Sequence, residues 1–308
     1  MTPDASRVGF VGLGNMGWPM AHNLSVAGFS LIVHDADTER SNRFAAEHAG
    51  ATAATAASDF AQDGVTVTML PDDRAVADAV LRWDGGIAAA LAPGAVVVDM
   101  SSSNPLATRA LGDELSARQL DLVDAPVSGG ITRAADGTLA IMVGTDSESA
   151  FERARPVLEV LGARLFRTGP RGSGHAMKAL NNFLGAAAYT TLAEALRIGE
   201  YFGLEPNGML DVINNSTGRS FNSEVVFPQD VVSGRYGTGF ALGLLAKDAG
   251  IAAALSDAAG ADAPACHLVA ERWAAAAAGL GATADHSEAH KQWERSEAGA
   301  AITSSERV

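Results

Sequence analysis

Arg7-Val-Gly-Phe-Val-Gly-Leu-Gly-Asn-Met-Gly17 is a short apolar run that passes through glycines at 12, 14 and 17. It continues directly into Trp18-Pro-Met-Ala-His-Asn-Leu-Ser-Val-Ala27, a helical segment closed by Gly28. The bare spacing G-x-G-x-x-G is a weak signal, but strand, turn and helix in that order make it specific. Gly12 permits the tight turn, Gly14 lets a pyrophosphate approach the backbone, and Gly17 lets the helix pack on the strand. The loop residues Leu13, Asn15 and Met16 complete this candidate cofactor site, where the helix N-terminus meets the negative charge. A second apolar run, Ser30-Leu-Ile-Val-His-Asp35, ends on a carboxylate placed where a ribose-binding acid is expected. A strand-end cap is the alternative role for Asp35. As a ribose ligand it accepts from a 2′-hydroxyl and repels a 2′-phosphate, which favours NAD over NADP, although Arg40 lies close enough in sequence to tolerate a phosphate.

The chain goes on in alternation. Helical spacing over 40–49 is followed by the buried-strand pattern Val65-Thr-Val-Thr-Met-Leu70, which stops at Pro71-Asp72-Asp73. Val76 to Leu81 reads as helix and Ala95-Val-Val-Val-Asp99 as another buried strand, running into Met100-Ser-Ser-Ser-Asn-Pro105. Strands alternating with helices predict an α/β fold with a doubly wound parallel sheet, whose ligands lie at the carboxyl ends of its strands. Leu70, Pro71 and Ser102 are thereby placed to line the cofactor cleft. Leu122-Val-Asp-Ala-Pro-Val-Ser-Gly-Gly130 follows the same rule. Its Ser128, Gly129 and Gly130 offer a hydroxyl and exposed N–H groups suited to a small carboxylate, with a plain turn as the alternative. Leu139-Ala-Ile-Met-Val-Gly144 reads as a further strand, and 158–162 closes a helix.

Gly174-His-Ala-Met-Lys-Ala-Leu-Asn-Asn-Phe-Leu-Gly185 opens a run of apolar residues at three-and-four spacing that reaches Phe202 without a proline, which predicts one long helix joining two domains. Lys178, Asn181 and Asn182 share a face of its first turns, and no acidic residue lies between Glu159 and Glu194. Taken alone, these could be solvated surface groups. Beyond Gly203 the pattern is helical throughout, so the sequence divides into a nucleotide-binding domain over 1–168 and an all-helical domain over 169–308. Asn214 to Phe221 reads as a polar loop able to face a substrate, Arg219 as an acid-gripping or plain surface arginine. Lys247 stands in an otherwise apolar helix. His286 and His290 have a metal-compatible spacing but read as a solvated face, and no metal is expected. The residues from Glu297 onward read as frayed.

Composition narrows the classes. With 308 residues, 47% of them hydrophobic, the chain can bury the cores of about two domains. Its 22 basic and 36 acidic side chains give a net charge of −14, which argues against nucleic acid as a partner. One cysteine, Cys266, excludes an internal disulfide and a cysteine-based zinc site. The first residues lack the pattern of a signal peptide and no long apolar run suggests a membrane span, so a cytoplasmic protein is expected.

Together, Val11-Gly-Leu-Gly-Asn-Met-Gly-Trp-Pro-Met20, Met69-Leu-Pro71, Asp99-Met-Ser-Ser102, Asp124-Ala-Pro-Val-Ser-Gly-Gly130, Lys178-Ala-Leu-Asn-Asn182 and Lys247-Asp248 resemble the β-hydroxyacid dehydrogenases in order and spacing, in particular the enzymes acting on 3-hydroxyisobutyrate. The resemblance spans nearly the whole chain. It implies a Rossmann domain joined by the long helix to an all-α domain, in homodimers or homotetramers. By motif position it makes Lys178 the catalytic acid/base and Asn182 a substrate holder, with Asn181 beside it. Ser128, Gly129 and Gly130 become the carboxylate site, and Lys247 sits at the nicotinamide end. Gly185 replaces the second acid group of the 6-phosphogluconate dehydrogenases, which argues against decarboxylation of a sugar acid.

The reading that follows is NAD-linked, reversible oxidation of a short 3-hydroxy carboxylic acid to its semialdehyde or keto acid, the hydroxy acid being the expected small-molecule partner. Lys178 must be neutral to take the hydroxyl proton, and partial burial beside a cationic ring lowers an ammonium from its ordinary pKa of about 10.4. The alternatives are a tartronate- or succinic-semialdehyde reductase, an imine-reducing family member, and a silent dinucleotide sensor. The retained lysine argues against imine chemistry. The sensor is disfavoured because it would need only the cofactor motifs.

Overall fold

The computed structural model describes residues 7–61 and 64–293; the segments read as unstructured from Glu297 and as lacking a signal pattern over 1–6 lie outside them. It forms two compact units, Met1–Lys178 and Ala179–Val308.

In the first unit six strands are mutually parallel: β1 (Arg7–Val11), β2 (Ser30–His34), β3 (Ala51–Ala53), β4 (Val65–Thr68), β5 (Val96–Asp99) and β6 (Asp121–Asp124). Their order is β3-β2-β1-β4-β5-β6, the doubly wound arrangement. β4 and β5 are buried at every position, as their unbroken Val/Thr runs require once helices cover both faces. The intervening helices are α1 (Gly17–Val26), α2 (Thr38–Glu47), α3 (Asp73–Leu81), α4 (Ile87–Ala90) and α5 (Pro105–Ser116). Side chains alternate across the sheet: Phe10 packs with Met20, Leu24 and Phe44 on one face, while Val11 packs with Val76, Val80 and Leu115 on the other. The helix starts are fixed locally. Asp37, Asp72 and Asn104 accept N–H groups of the first turns of α2, α3 and α5.

The sheet continues through β7 (Val127–Ser128), α6 (Gly130–Ala135), β8 (Leu139–Gly144), α7 (Glu148–Leu161) and β9 (Gly162–Gly169). Here the wholly parallel expectation needs amending. β8 runs antiparallel to β6 and β7, because the ten residues between Ser128 and Leu139 are too few for a parallel crossover. β9, whose first residue the sequence placed at a helix end and whose other residues it assigned to no element, pairs parallel to β8.

Helix α8 (Ser173–Tyr201) is continuous for 29 residues, and the division into units falls within it, after Lys178. The second unit adds α9 (Pro206–Asn214), a π-helix (Asn222–Val231), α10 (Leu242–Ala258) and α11 (Pro264–Leu280) around Tyr189, Leu192, Phe227, Trp273 and Trp293. The expectation of a solvated His286/His290 face is corrected. His286 is buried, its ring against Trp273, Tyr189 and Phe240, and its Nδ1 lies 2.9 Å from Thr238 Oγ1. His290 Nδ1 lies 3.1 Å from the Tyr189 hydroxyl. Among the described residues no group of His, Cys, Asp and Glu could hold a metal ion, and no helix is long and apolar enough to cross a membrane.

Candidate active site

The glycine turn is built as its chemistry requires. Gly12 sits at φ +99°, and any Cβ there would collide with the Met69 carbonyl oxygen; one on Gly17 would collide with the Gly12 carbonyl. These two glycines therefore let β1, β4 and α1 close on each other. Gly14 differs: nothing lies within 4 Å of where its Cβ would be, and Gly14 and Asn15 are exposed. That open space in front of the first turn of α1 is a cradle suited to a pyrophosphate. Leu13 is buried, Met16 half-buried.

Asp35 is bound into this turn. Its Oδ2 accepts the Leu13 N–H at 2.7 Å, and its Oδ1 accepts the Asp37 N–H at 2.9 Å and pairs with Arg40 at 3.1 Å. A carboxylate offers about four lone-pair sites. Three are used, so one is left, on the oxygen beside Leu13, for a ribose hydroxyl. Arg40 also reaches Asp37, at 3.3 Å.

The loops after β4 and β5 are tied together. Leu70 N–H donates to Ser101 Oγ at 2.9 Å, and Ser101 N–H to Asp99 Oδ1 at 3.0 Å. Pro71 is exposed and Ser102 half-buried at this edge. At the end of β7, Ser128 pairs with Ala140, and the backbone then turns through Gly129 (φ +140°) and Gly130 (φ +69°), conformations that favour glycine. Both glycines are exposed, so their N–H groups can reach a ligand.

On α8, Lys178 is half-buried, and Asn182 follows one turn later on the same face. Asn182 Nδ2 donates to Asp248 Oδ2 at 2.6 Å, and Lys247 Nζ lies 3.4 Å from Asp248 Oδ1. Asp248 is buried in α10. By holding the amide nitrogen it fixes which way Asn182 points and leaves the amide oxygen as the end available to a hydroxyl. Asn181 is exposed, its Nδ2 at 3.4 Å from Asn182 Oδ1. Arg219 stays at the surface, 3.7 Å from Glu224.

Sequence reasoning quoted Asp248 and Asp124 within motifs without giving them work, and passed over His175. Asp124 is fully buried and accepts the N–H groups of Gly172 and His175 at the start of α8. The sequence held no clear hint, because Ser173 in the lead Arg171-Gly-Ser-Gly174 is itself a residue type that caps helices; in the structure its hydroxyl lies 2.8 Å from Thr168 Oγ1.

Residues 7–169 match the model of the NAD binding domain of 6-phosphogluconate dehydrogenase, and residues 172–293 that of the NAD-binding domain of NADP-dependent 3-hydroxyisobutyrate dehydrogenase. The 2-(hydroxymethyl)glutarate dehydrogenase of Eubacterium barkeri is 40% identical over 252 residues, covering 80% of this chain and 81% of that protein. The NAD-dependent L-serine dehydrogenase of Pseudomonas aeruginosa is likewise 40% identical, covering 80% of this chain and 84% of its own. A solved structure of Mycobacterium tuberculosis 3-hydroxyisobutyrate dehydrogenase with L-serine superposes with a TM-score of 0.85 at 32% identity, over 94% of this chain and 99% of that one. The chain belongs to the β-hydroxyacid dehydrogenase family and is an NAD(P)-dependent oxidoreductase.

Proposed function

We propose that the protein oxidises, reversibly and with NAD, the primary alcohol of a 2-substituted 3-hydroxypropanoate to the corresponding semialdehyde. The observation that carries this reading is the face of α8 on which Lys178 precedes an Asn182 whose amide nitrogen is held by Asp248. The substrate class follows from the relatives named above: L-serine, 3-hydroxyisobutyrate and 2-(hydroxymethyl)glutarate all carry HO–CH2 next to a carbon bearing a carboxylate.

NAD bound along the glycine turn supplies the acceptor for the hydride lost by the carbinol carbon. Gly12, Gly14 and Gly17 with the start of α1 would hold its pyrophosphate, Asp35 its adenine ribose, and Leu70, Pro71 and Ser102 would line the rest, with Lys247 as the cofactor lysine that the family resemblance implies. Ser128 and the N–H groups of Gly129 and Gly130 take the substrate carboxylate. Asn182 Oδ1 accepts from the substrate hydroxyl and aims it, with Asn181 beside it. As the C–H bond breaks, the hydroxyl proton passes to neutral Lys178 Nζ and the C=O bond forms; in the reverse direction the ammonium returns the proton.

Domains divided at 168/169 and a cytoplasmic setting, where the single buried thiol of Cys266 stays reduced, belong to the same reading. So does a homo-oligomer: Ile198, Tyr201, Phe202, Leu204 and Val212 are exposed on the second unit, an apolar surface that further copies of the chain would cover.

The test is a panel of small 3-hydroxy acids with NAD and NADP, in native protein and Lys178→Ala. A positioned acid/base group is worth about 10² to 10⁴ in kcat. A loss of that size with unchanged NADH affinity is expected, and folding should survive because alanine is the better helix former. Near-native turnover in the folded variant, or NADH binding with no turnover of any acid by the native protein, would sink the reading.

A further inference from the structure

The start of α8 rests on a buried cluster of charge that none of the roles above uses. Asp124 and His175 side chains have no exposure at all, and Asp99 has 2%. Asp124 Oδ1 accepts the Gly172 N–H at 2.7 Å and its Oδ2 the His175 N–H at 2.9 Å, so one carboxylate satisfies two donors at the helix N-terminus. Space for it exists only because two neighbours are glycines: a Cβ on Gly144 would come within 2.6 Å of Asp124 Oδ1, and one on Gly174 within 2.8 Å of Oδ2. The His175 ring is gripped at both nitrogens. Nε2 donates to the Ser101 carbonyl oxygen at 3.1 Å, with Asp99 Oδ2 at 3.6 Å. Nδ1 lies 2.8 Å from Thr108 Oγ1, with Asp124 Oδ2 at 3.9 Å.

Thr108 has one hydroxyl proton and two neighbours that would take it, His175 Nδ1 and the Asn104 carbonyl oxygen at 3.0 Å. Nδ1–H donating to Thr108 and Thr108 donating to Asn104 satisfy both contacts, and with Nε2–H on the Ser101 carbonyl as well the ring carries both protons, as an imidazolium. Asp99 is held in turn by Thr68, Ser101 and Ser103. Burial pushes the Asp124 carboxyl above its ordinary value, and the His175 charge and the two backbone donors pull it back. Asp99, Ser103 and Thr108 also line a cavity of about 340 Å³ between α3 and α5.

We propose that the Asp99–His175–Asp124 cluster is the positioning device of the lysine helix, clamping its first turn to the ends of β5 and β6 and setting the charge against which Lys178 exchanges its proton. This rests on Lys178 being the acid/base group. The charged groups around it are Asp99 from β5, Asp124 from β6, Asp73, Arg74, Asp78 and Arg82 across the cavity that Asp99 lines, Arg109 from α5, and Arg171 and Lys178 before and after it along the chain; Arg171 is occupied by Asp113 and Asp146. Two carboxylates against one imidazolium leave a net negative charge one turn below Lys178, which favours its ammonium form.

The signs of two substitutions are therefore opposite. Asp124→Asn removes negative charge, so the pH limb of kcat/KM assigned to Lys178 should move to lower pH. His175→Gln removes positive charge, so the limb should move to higher pH. A unit charge at helical one-turn separation, at an effective dielectric near 20 to 40, moves it by roughly one to two pH units. In both variants kcat should fall about tenfold or more as the helix start loosens, while NADH affinity, read by fluorescence, stays within about twofold. A purely structural role would give limbs that stay fixed or move together, and that result in folded variants overturns the proposal. If Asp124→Asn does not fold, Thr108→Val carries the test: it withdraws the acceptor of the Nδ1 proton and should move the limb upward, and an unmoved limb overturns the proposal. Lys178→Ala in the same assay separates the two readings. Near-native turnover there removes both; an inactive Lys178→Ala beside unmoved limbs removes this one alone.

Discussion

Replacing Asp35 by Asn tests the cofactor assignment where the structure gives most to work with. A carboxylate about 5 Å from a 2′-phosphate dianion costs roughly 2 to 6 kcal/mol as the effective dielectric falls from 80 to 20. Arg40, already 3.1 Å from Asp35, can swing toward the phosphate and offset part of this, so the lower end applies. The ratio of kcat/KM for NAD over NADP should then fall by about 30- to 100-fold in the variant. The same carboxylate also holds the N–H of the buried Leu13, and leaving that donor unsatisfied costs about 1–3 kcal/mol. Asp35→Ala should for that reason weaken both cofactors about tenfold or more, whereas the Asn oxygen keeps the Leu13 contact and should spare NAD more. Initial rates with both cofactors at saturating hydroxy acid, at two salt concentrations, measure this; the native preference should shrink as salt rises. Native protein that used NADP as well as NAD, or an unchanged ratio in Asp35→Asn, would refute the argument.

Gly14→Ala and Gly17→Ala should separate ligand space from packing space. The first meets no atom within 4 Å, so it should melt like native protein and bind NADH at least tenfold more weakly. The second drives a methyl into the Gly12 carbonyl and should lower the melting temperature as well, both by thermal shift and NADH titration. Asp248→Ala frees the Asn182 amide and should lower kcat by about 10- to 100-fold with the pH limb in place, because the proton path is untouched. An unchanged kcat would show that Asn182 needs no such holder. His286 has its pKa lowered from 6.5 by burial. Its neutral form is therefore favoured by folding, and stability should fall as pH drops below about 6.5, by up to 1.4 kcal/mol per pH unit for this one proton. Urea midpoints between pH 5 and 7.5 should fall less steeply in His286→Gln, and equal slopes would contradict the burial argument.

What the sequence disclosed depended on whether the deciding interaction was local. The glycine turn and the Val/Thr strands are local patterns, and each appears where its spacing predicts; α8 is helical where its spacing predicts, but Met177, Leu180 and Leu184 of the stripe expected to be buried are exposed. β9 escaped because an edge strand leaves Arg164, Phe166 and Arg167 all exposed, so its residues show no alternation. The π-helix over Asn222–Val231 escaped because it contains Pro228 and follows neither helical nor strand spacing. His286 was misplaced because its neighbours in sequence are charged while its neighbours in space are Tyr189, Phe240 and Trp273. The candidate site divides along the same line. Lys178, Asn182 and the Ser128–Gly130 turn could be read because each group's chemistry is carried by the residue itself. Asp124, Asp248 and His175 could not, since each acts through a partner 48 to 74 positions away in the chain. A single strand-end carboxylate looks the same in sequence whether it caps its own loop, as Asp99 does for Ser101, or reaches across to start another helix, as Asp124 does for α8. The residues proposed to react are thus legible one at a time, whereas the charges proposed to hold them in place become legible only when β5, β6 and the start of α8 are brought together.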